Sequence, residues 1–88
     1  MRIKDGFLLR EVAGSYVVVP IGENLVDFQG MITLNESGAF LWKELKEDKT
    51  PDELVAAMLN EYDVDEQTAQ ADIEEFINLL KKHSLVEG

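Results

Sequence analysis

The chain has 88 residues, and its 18 acidic side chains outnumber its 8 lysines and arginines, which gives a formal net charge of −10. A chain of this size forms one domain, here residues 1–88, and a hydrophobic share of 45% is typical of a globular protein. Without cysteine, and with a single histidine, the chain has no disulfide and no zinc-site ligand set. The acidity argues against nucleic acid as a partner, because phosphate backbones attract basic surfaces. No apolar run approaches the roughly 20 residues that span a bilayer, so we expect a cytoplasmic protein without a membrane partner.

The negative charge is concentrated in the second half of the chain. Residues 1–43 contain four basic and five acidic side chains, a sum of −1, so residues 44–88 carry the remaining −9. Two interpretations stay open. The acids are solvated helix faces, or they give the protein an electrostatic preference for a basic partner or a basic peptide.

Strand-like segments open the chain. Residues 7–12 and residues 15–19 are rich in apolar and β-branched side chains, and Gly14 between them tolerates the positive φ of a tight turn. These segments predict an antiparallel hairpin. Pro20 has no backbone N–H, so it ends the second strand or lies at a sheet edge.

A further strand is predicted before the first helix. Residues 25–34 form either one bulged strand or a second hairpin around Gln29-Gly30, and the sequence leaves both open. In either case residues 31–34 are the last strand. Its alternation places Ile32 and Leu34 on one face, and Met31 and Thr33 on the other.

Three helices are predicted after the strands. Asn35 is a good N-cap for the first, and Thr50 caps the second with Pro51 at the first helical position and Glu53 completing a capping box. The third helix begins near Asp65. The apolar positions at helical spacing are Phe40, Leu41, Trp42 and Leu45, then Leu54, Val55, Met58, Leu59 and Tyr62, then Ala69, Ile73, Phe76, Ile77 and Leu80.

The order of three strands and then three helices predicts an α+β fold, with the helices on one side of a small antiparallel sheet. Leu85 and Val86 follow the last helix, and we expect them to fold back onto the core.

The sequence predicts no catalytic, metal or cofactor site. The lone histidine, His83, has Ser84 beside it, but neighbouring side chains on a helix do not face each other. His83 instead suits the negative C-terminal end of a helix dipole. The carboxylates lie on predicted helix surfaces. A general acid and a general base need different pKa values, and such a difference requires burial or a close charged partner. We therefore expect a protein that is not an enzyme.

Several segments match a known family in order and spacing. They are the strand Tyr16-Val17-Val18-Val19-Pro20, the strand-to-helix junction Met31–Ala39 continuing into Phe40-Leu41-Trp42, the helix start Thr50–Leu54, and the stretches Tyr62–Asp65, Asp72-Ile73 and Phe76–Leu80 around the last helix. In these segments the chain resembles the PqqD family. Its members are small pyrroloquinoline-quinone biosynthesis proteins and their relatives, which recognise ribosomally made, modified (RiPP) precursor peptides.

Two turn positions depart from the family pattern. Glu47-Asp48-Lys49 stands where members often have Asp-Gly, and Ser84 stands where they often have glycine. Both departures concern local loop geometry and not the fold.

The resemblance implies a three-stranded antiparallel sheet followed by three helices, a winged helix-turn-helix-like arrangement. It also implies a function. The family binds the leader segment of a precursor peptide, which adds as a strand beside the third strand and lies in a groove against the third helix. A partner enzyme, often a radical SAM enzyme, then modifies the rest of the peptide, and the recognition domain does no chemistry itself.

The residues of this chain permit such a groove. The last strand contains no proline and no charge that would block its edge. On the third helix, Leu79 lies about 60° from Phe76, on one flank of the core stripe. The predicted peptide-binding residues are Met31, Ile32, Thr33, Leu34, Asp72, Glu75, Phe76, Leu79 and His83. Alternatively, Leu79 only widens the apolar stripe.

Two other classes of function remain as alternatives. A winged-helix DNA-binding protein would need a basic recognition helix, yet residues 65–80 hold five acids and neither lysine nor arginine. A structural or protein-interaction module would bind its partner, which includes a second copy of the chain, through the open strand edge or exposed apolar residues. The sequence leaves monomer and homodimer both open.

Overall fold

The structure, a computed structural model, describes residues 1–21 and 32–87. In chain order they form β1 (Arg2–Ile3), β2 (Phe7–Val12), β3 (Ser15–Pro20), β4 (Ile32–Leu34), α1 (Glu36–Glu44), α2 (Pro51–Glu61), α3 (Glu66–Lys82) and β5 (Val86–Glu87). The predicted α+β fold, a three-stranded antiparallel sheet followed by three helices, is confirmed. The choice between a bulged strand and a hairpin for residues 25–34 lies largely outside the described residues.

The main sheet has the order β2-β3-β4, and both pairings are antiparallel. Ala13 and Gly14 connect β2 to β3 with φ of 52° and 81°, the positive values that a two-residue hairpin turn requires. The predicted hairpin is therefore confirmed. Pro20 is the last residue of β3 and pairs with Phe7 at the end of the ladder.

Two short strands add a second, two-stranded sheet that the sequence did not predict. Ile3 in β1 lies opposite Val86 in β5, and the backbone N–H of Ile3 donates to the carbonyl of Leu45 at 2.9 Å. The predicted return of the chain after α3 is confirmed, because Leu85 has 0% of its surface exposed. Strands of two residues carry no periodic pattern, so only tertiary contacts reveal them.

The helix starts follow from the predicted capping residues. The Asn35 and Asp65 side chains each accept a backbone N–H at the starts of α1 and α3. At α2 the backbone N–H of Glu53 donates to Oγ1 of Thr50 at 3.2 Å, and the backbone N–H of Thr50 donates to Oε1 of Glu53 at 3.0 Å. This is the predicted capping box, with Pro51 at the first helical position.

The end of α3 is closed by a Schellman motif. The N–H of Ser84 donates to the carbonyl of Lys81 at 3.1 Å, and that of Leu85 donates to the carbonyl of Leu80 at 2.9 Å. Ser84 adopts a left-handed conformation with φ of 57°. A serine thus occupies a backbone position at which glycine is usual.

The core lies between the inner face of the sheet and the three helices. Every apolar position predicted for α3 is buried, and Trp42 on α1 is 1% exposed. On α2 the predicted stripe is only partly right, because Leu54 and Met58 are buried but Leu59 is 37% exposed. Within the described ranges no helix is both long and apolar enough to cross a bilayer.

Candidate functional site

The outer edge of β4 is one wall of the candidate site. β4 pairs with β3 on one side only, so within the described residues it is an edge strand of the main sheet. The alternation of hydrogen-bonded pairs along an antiparallel ladder decides which of its backbone groups face that edge. The register can be followed from a hydrogen bond at the far end of the hairpin.

The Ile21 N–H donates to the Gly6 carbonyl at 2.8 Å, which marks that pair as hydrogen-bonded in the β2–β3 ladder. Hydrogen-bonded pairs recur at every second residue, so Val19 and Val17, two and four residues before Ile21, also direct their backbone groups to β2. Those of Tyr16 and Val18 therefore face β4.

Tyr16 and Val18 pair with Leu34 and Ile32 of β4. The backbone groups of those two residues consequently face β3. Thr33 lies between them, so its N–H and C=O face outward, away from the sheet. Thr33 also exposes its side chain, whereas Ile32 and Leu34 are buried. The predicted alternation of these three residues is confirmed.

The first turn of α1 lies directly beside the end of β4. Asn35 joins the two elements, and its Oδ1 accepts the Gly38 N–H at 2.8 Å and the Ser37 hydroxyl at 3.1 Å. A Cβ at Gly38 would lie 3.1 Å from that Oδ1 and 3.3 Å from the Cβ of Leu34. The absence of a side chain at Gly38 therefore lets α1 pack closely against β4.

A groove of about 550 Å³ separates β4 and the start of α1 from one face of α3. Its floor includes the buried side chains of Leu34, Leu41 and Phe76, and Leu79 is half-buried beside them. Polar side chains complete the lining: Thr33, Asn35, Ser37, Asp72, Glu75, Asn78 and Lys82, together with Gly38. An apolar floor with a polar rim suits an amphipathic, extended ligand.

The structure brings most of the predicted site residues together. The groove is lined by Thr33, Leu34, Asp72, Glu75, Phe76 and Leu79. Ile32 shares the buried inner face with Leu34 but does not line the groove; it lies opposite Val18 in the β3–β4 ladder. His83 is the C-cap of α3 and does not line the groove. Met31 lies outside the described residues.

Sequence reasoning missed the contribution of α1 and the basic end of α3. The added residues are Asn35, Ser37, Gly38, Leu41, Asn78 and Lys82. The sequence positions of Asn35 and Lys82 could have indicated these two residues. Asn35 directly follows the predicted edge strand, and Lys82 lies seven residues after Glu75, two helical turns along the same face.

Asp72, Glu75 and Lys82 are free of ion pairs in the part of the chain that the structure describes. The ion pairs found there join other groups, such as Lys49 with Glu44. The Glu44 carboxylate is also the main cause that raises the pKa of Lys49 above 10.5. The charges of the groove are therefore available to a ligand.

The described residues contain no cluster of three or more histidine, cysteine or acidic side chains that could hold a metal ion. The groove offers backbone hydrogen bonds, apolar surface and charged groups that form no ion pair among the described residues. An open strand edge beside an apolar groove is an arrangement by which domains bind extended peptides.

A family model described as Coenzyme PQQ synthesis protein D (PqqD) matches residues 15–86. The chain therefore belongs to the PqqD family, as its motifs indicated. Among solved structures it is similar to "TbiB1 in Complex with the TbiA(beta) Leader Peptide", with a TM-score of 0.77 and 30% sequence identity over 100% of this chain and 96% of that chain. A comparison with the curated proteins found no significant match.

Proposed function

We propose that this protein is a RiPP recognition element: it binds the leader segment of a ribosomally made precursor peptide as an added strand along β4. The observation that carries the proposal is the position of Thr33. Its outward N–H and C=O lie at the rim of the groove, so one peptide can pair with the strand and insert side chains beside α3.

The comparison with TbiB1 supports this proposal. That protein was solved with a leader peptide bound, and this chain is similar to it along its whole length. Membership of the PqqD family supports the same class of ligand.

In this proposal the protein performs no chemistry of its own. It holds the leader while a separate modifying enzyme, such as a radical SAM protein, acts on the remainder of the peptide in the cytoplasm. The groove supports a binding role because the ionisable groups among its described lining residues are two carboxylates and one lysine, without a nucleophile next to a base.

Isothermal titration of the full chain tests the proposal. The probes are the leader half of a short precursor peptide encoded beside the gene and, as a second probe, the TbiA(beta) leader peptide. We expect micromolar or tighter binding to the neighbouring leader, and loss of binding when proline replaces a residue of its paired strand. A folded protein that binds neither probe would contradict the proposal.

Two further measurements separate the alternative functions. Light scattering with and without peptide reports whether the protein is a monomer, or a dimer whose strand edge is covered. A gel shift at low salt reports DNA binding, which we do not expect from an α3 whose residues 66–80 carry acids and no basic side chain.

A further inference from the structure

We infer that the groove recognises an order of charges: a leader segment with an apolar side chain, a basic residue towards Asp72 and Glu75, and an acidic residue towards Lys82. The inference rests on the proposed function and specifies the peptide that this site accepts. It follows from the direction of the backbone at the strand edge and from the distribution of charge along α3.

The strand edge determines which peptide side chain enters the groove. A peptide residue directly opposite Thr33 shares the face of Thr33, which points away from the core. Its neighbour opposite Leu34 points to the other face, where Leu34, Leu41 and Phe76 form the groove floor. This holds for a parallel or an antiparallel peptide, because side chains alternate along any strand. The residue opposite Leu34 is therefore the apolar anchor.

The α3 wall of the groove changes its charge from one end to the other. Asp72 and Glu75 line its N-terminal part, Leu79 its middle and Lys82 its C-terminal end. From Asp72 to Lys82 the helix rises roughly 15 Å, and an extended peptide covers that distance in about five residues. One short segment can therefore meet both charged ends and the apolar centre.

The acids of this wall have no evident structural role. Asp72 and Glu75 lie in the middle of α3, too far from its N-terminus for the helix dipole to favour them, and they form no ion pair within the described residues. A basic side chain of the ligand would supply the missing partner. Lys82 also suits the helix C-terminus, but it lines the groove, whereas its neighbour Lys81 does not.

The charge of the whole chain favours a peptide over a second copy as the occupant. Two copies, each with a net charge of −10, repel one another, whereas a peptide with a basic residue is attracted. A groove that is acidic at one end and basic at the other also gives the bound peptide one direction, because the reversed peptide would bring like charges together.

The test is a selection of random 12-residue peptides, displayed on phage, against three forms of the full chain. They are the wild type, the charge-swapped Glu75→Lys/Lys82→Glu variant, and the control Glu74→Lys/Lys81→Glu. The control makes the same exchange at the adjacent positions of α3, which are exposed and lie outside the groove. Circular dichroism confirms that all three are folded.

We expect the wild type and the control to enrich peptides with the same pattern. In it a basic and an acidic residue lie on opposite sides of an apolar residue, and their order along the peptide is the same in all enriched sequences. The charge-swapped variant keeps Asp72, so the N-terminal part of its α3 wall becomes neutral overall and the C-terminal end becomes acidic. It should enrich a base towards the C-terminal end in place of the acid, and bind the wild-type peptides about tenfold more weakly. Should the swapped variant not fold, Glu75→Gln/Lys82→Gln is the substitute. It should no longer enrich the acidic residue of the pattern, because it lacks the lysine and keeps Asp72. Enrichment of peptides without any charge order by the wild type would overturn this inference and leave leader binding standing. Enrichment of no peptide at all would overturn the proposed function as well.

Discussion

Thr33 lies opposite Val17 in the β3–β4 ladder as a non-hydrogen-bonded pair, so the N–H and C=O of Thr33 are directed to the outer edge of β4, with which no other described strand pairs. The same register buries Ile32 and Leu34 on the inner face. One residue of β4 therefore offers its backbone to a ligand while its two neighbours hold the strand in the fold. This separation allows the edge to be altered without removing a hydrogen bond of the sheet.

Thr33→Pro should weaken leader binding at least about tenfold and leave the fold intact. Proline has no N–H, and the N–H it removes is one that β3 does not use. Titration calorimetry measures the affinity and circular dichroism the fold. Thr33→Val is the control, since it keeps the N–H and the β-branched shape. Full affinity in the proline variant would show that the peptide does not pair with β4.

Leu79→Glu should weaken leader binding and leave the circular dichroism spectrum unchanged. Leu79 is half-buried at the wall of the groove, and a carboxylate there would face the apolar anchor of the peptide and add to the charge of Glu75. Leu59→Glu on α2 is the matched control, because Leu59 is 37% exposed and lies outside the groove. Equal affinities for the two variants would remove Leu79 from the site.

Gly38→Ala should lower both stability and leader affinity. The new Cβ would lie within 3.1–3.3 Å of atoms of Asn35 and Leu34, which both line the groove and must move to accept it. Overpacking of this kind costs about 1–3 kcal/mol, partly offset by about 1 kcal/mol of helix propensity. Urea unfolding and titration measure the two effects. A more stable variant with unchanged affinity would show that the junction of β4 and α1 accommodates a methyl group at position 38 without strain.

Ser84→Gly should stabilise the protein by about 1 kcal/mol. Ser84 has a φ of 57°, which costs a residue with a Cβ more than it costs glycine. Its exposed side chain lies outside the core, so its removal leaves no cavity. Thermal and urea unfolding of the two proteins provide the test, with Ser84→Ala as the control that keeps the Cβ. If the glycine variant gains no more than the alanine variant, the conformation of this turn is not the source of strain.

Asp65 should make stability depend on pH in the acid range. Hydrogen bonds from Thr68, first from its side chain and then from its backbone N–H at 2.7 Å, hold the pKa of Asp65 below its ordinary 3.8. A carboxyl group whose pKa is lowered by folding stabilises the protein above its unfolded pKa, and this contribution is lost as the pH falls through the folded value. The stabilisation should therefore be complete above about pH 5 and decline below pH 4.

The Asp65→Asn variant isolates that effect, because asparagine is also a good N-cap residue but its amide side chain does not ionise. The difference in unfolding free energy between wild type and variant should be constant near neutral pH and shrink in acid. A difference that does not change between pH 6 and pH 3 would contradict the assignment.

Much of the local structure could be predicted because single residues determine it. Asn35, Thr50 and Asp65 begin their helices through side-chain hydrogen bonds that form within one turn. The stripe of α3 was predicted correctly because helical periodicity places those residues on one face. The same rule misplaced Leu59 on α2, since the width of a buried face depends on how closely the neighbouring elements cover it.

The sequence by itself determined the element types, the helix starts, the hairpin and the candidate residues on β4 and α3, because these depend on capping, turn and periodicity rules that act over a few residues. The tertiary structure decided which of those residues meet. It joined β1 to β5, left Ile32 and His83 outside the lining of the groove, and placed Asn35, Gly38 and Lys82 along it. The groove is formed by elements far apart in the chain, and their distances depend on the packing of the whole core, which no local pattern encodes.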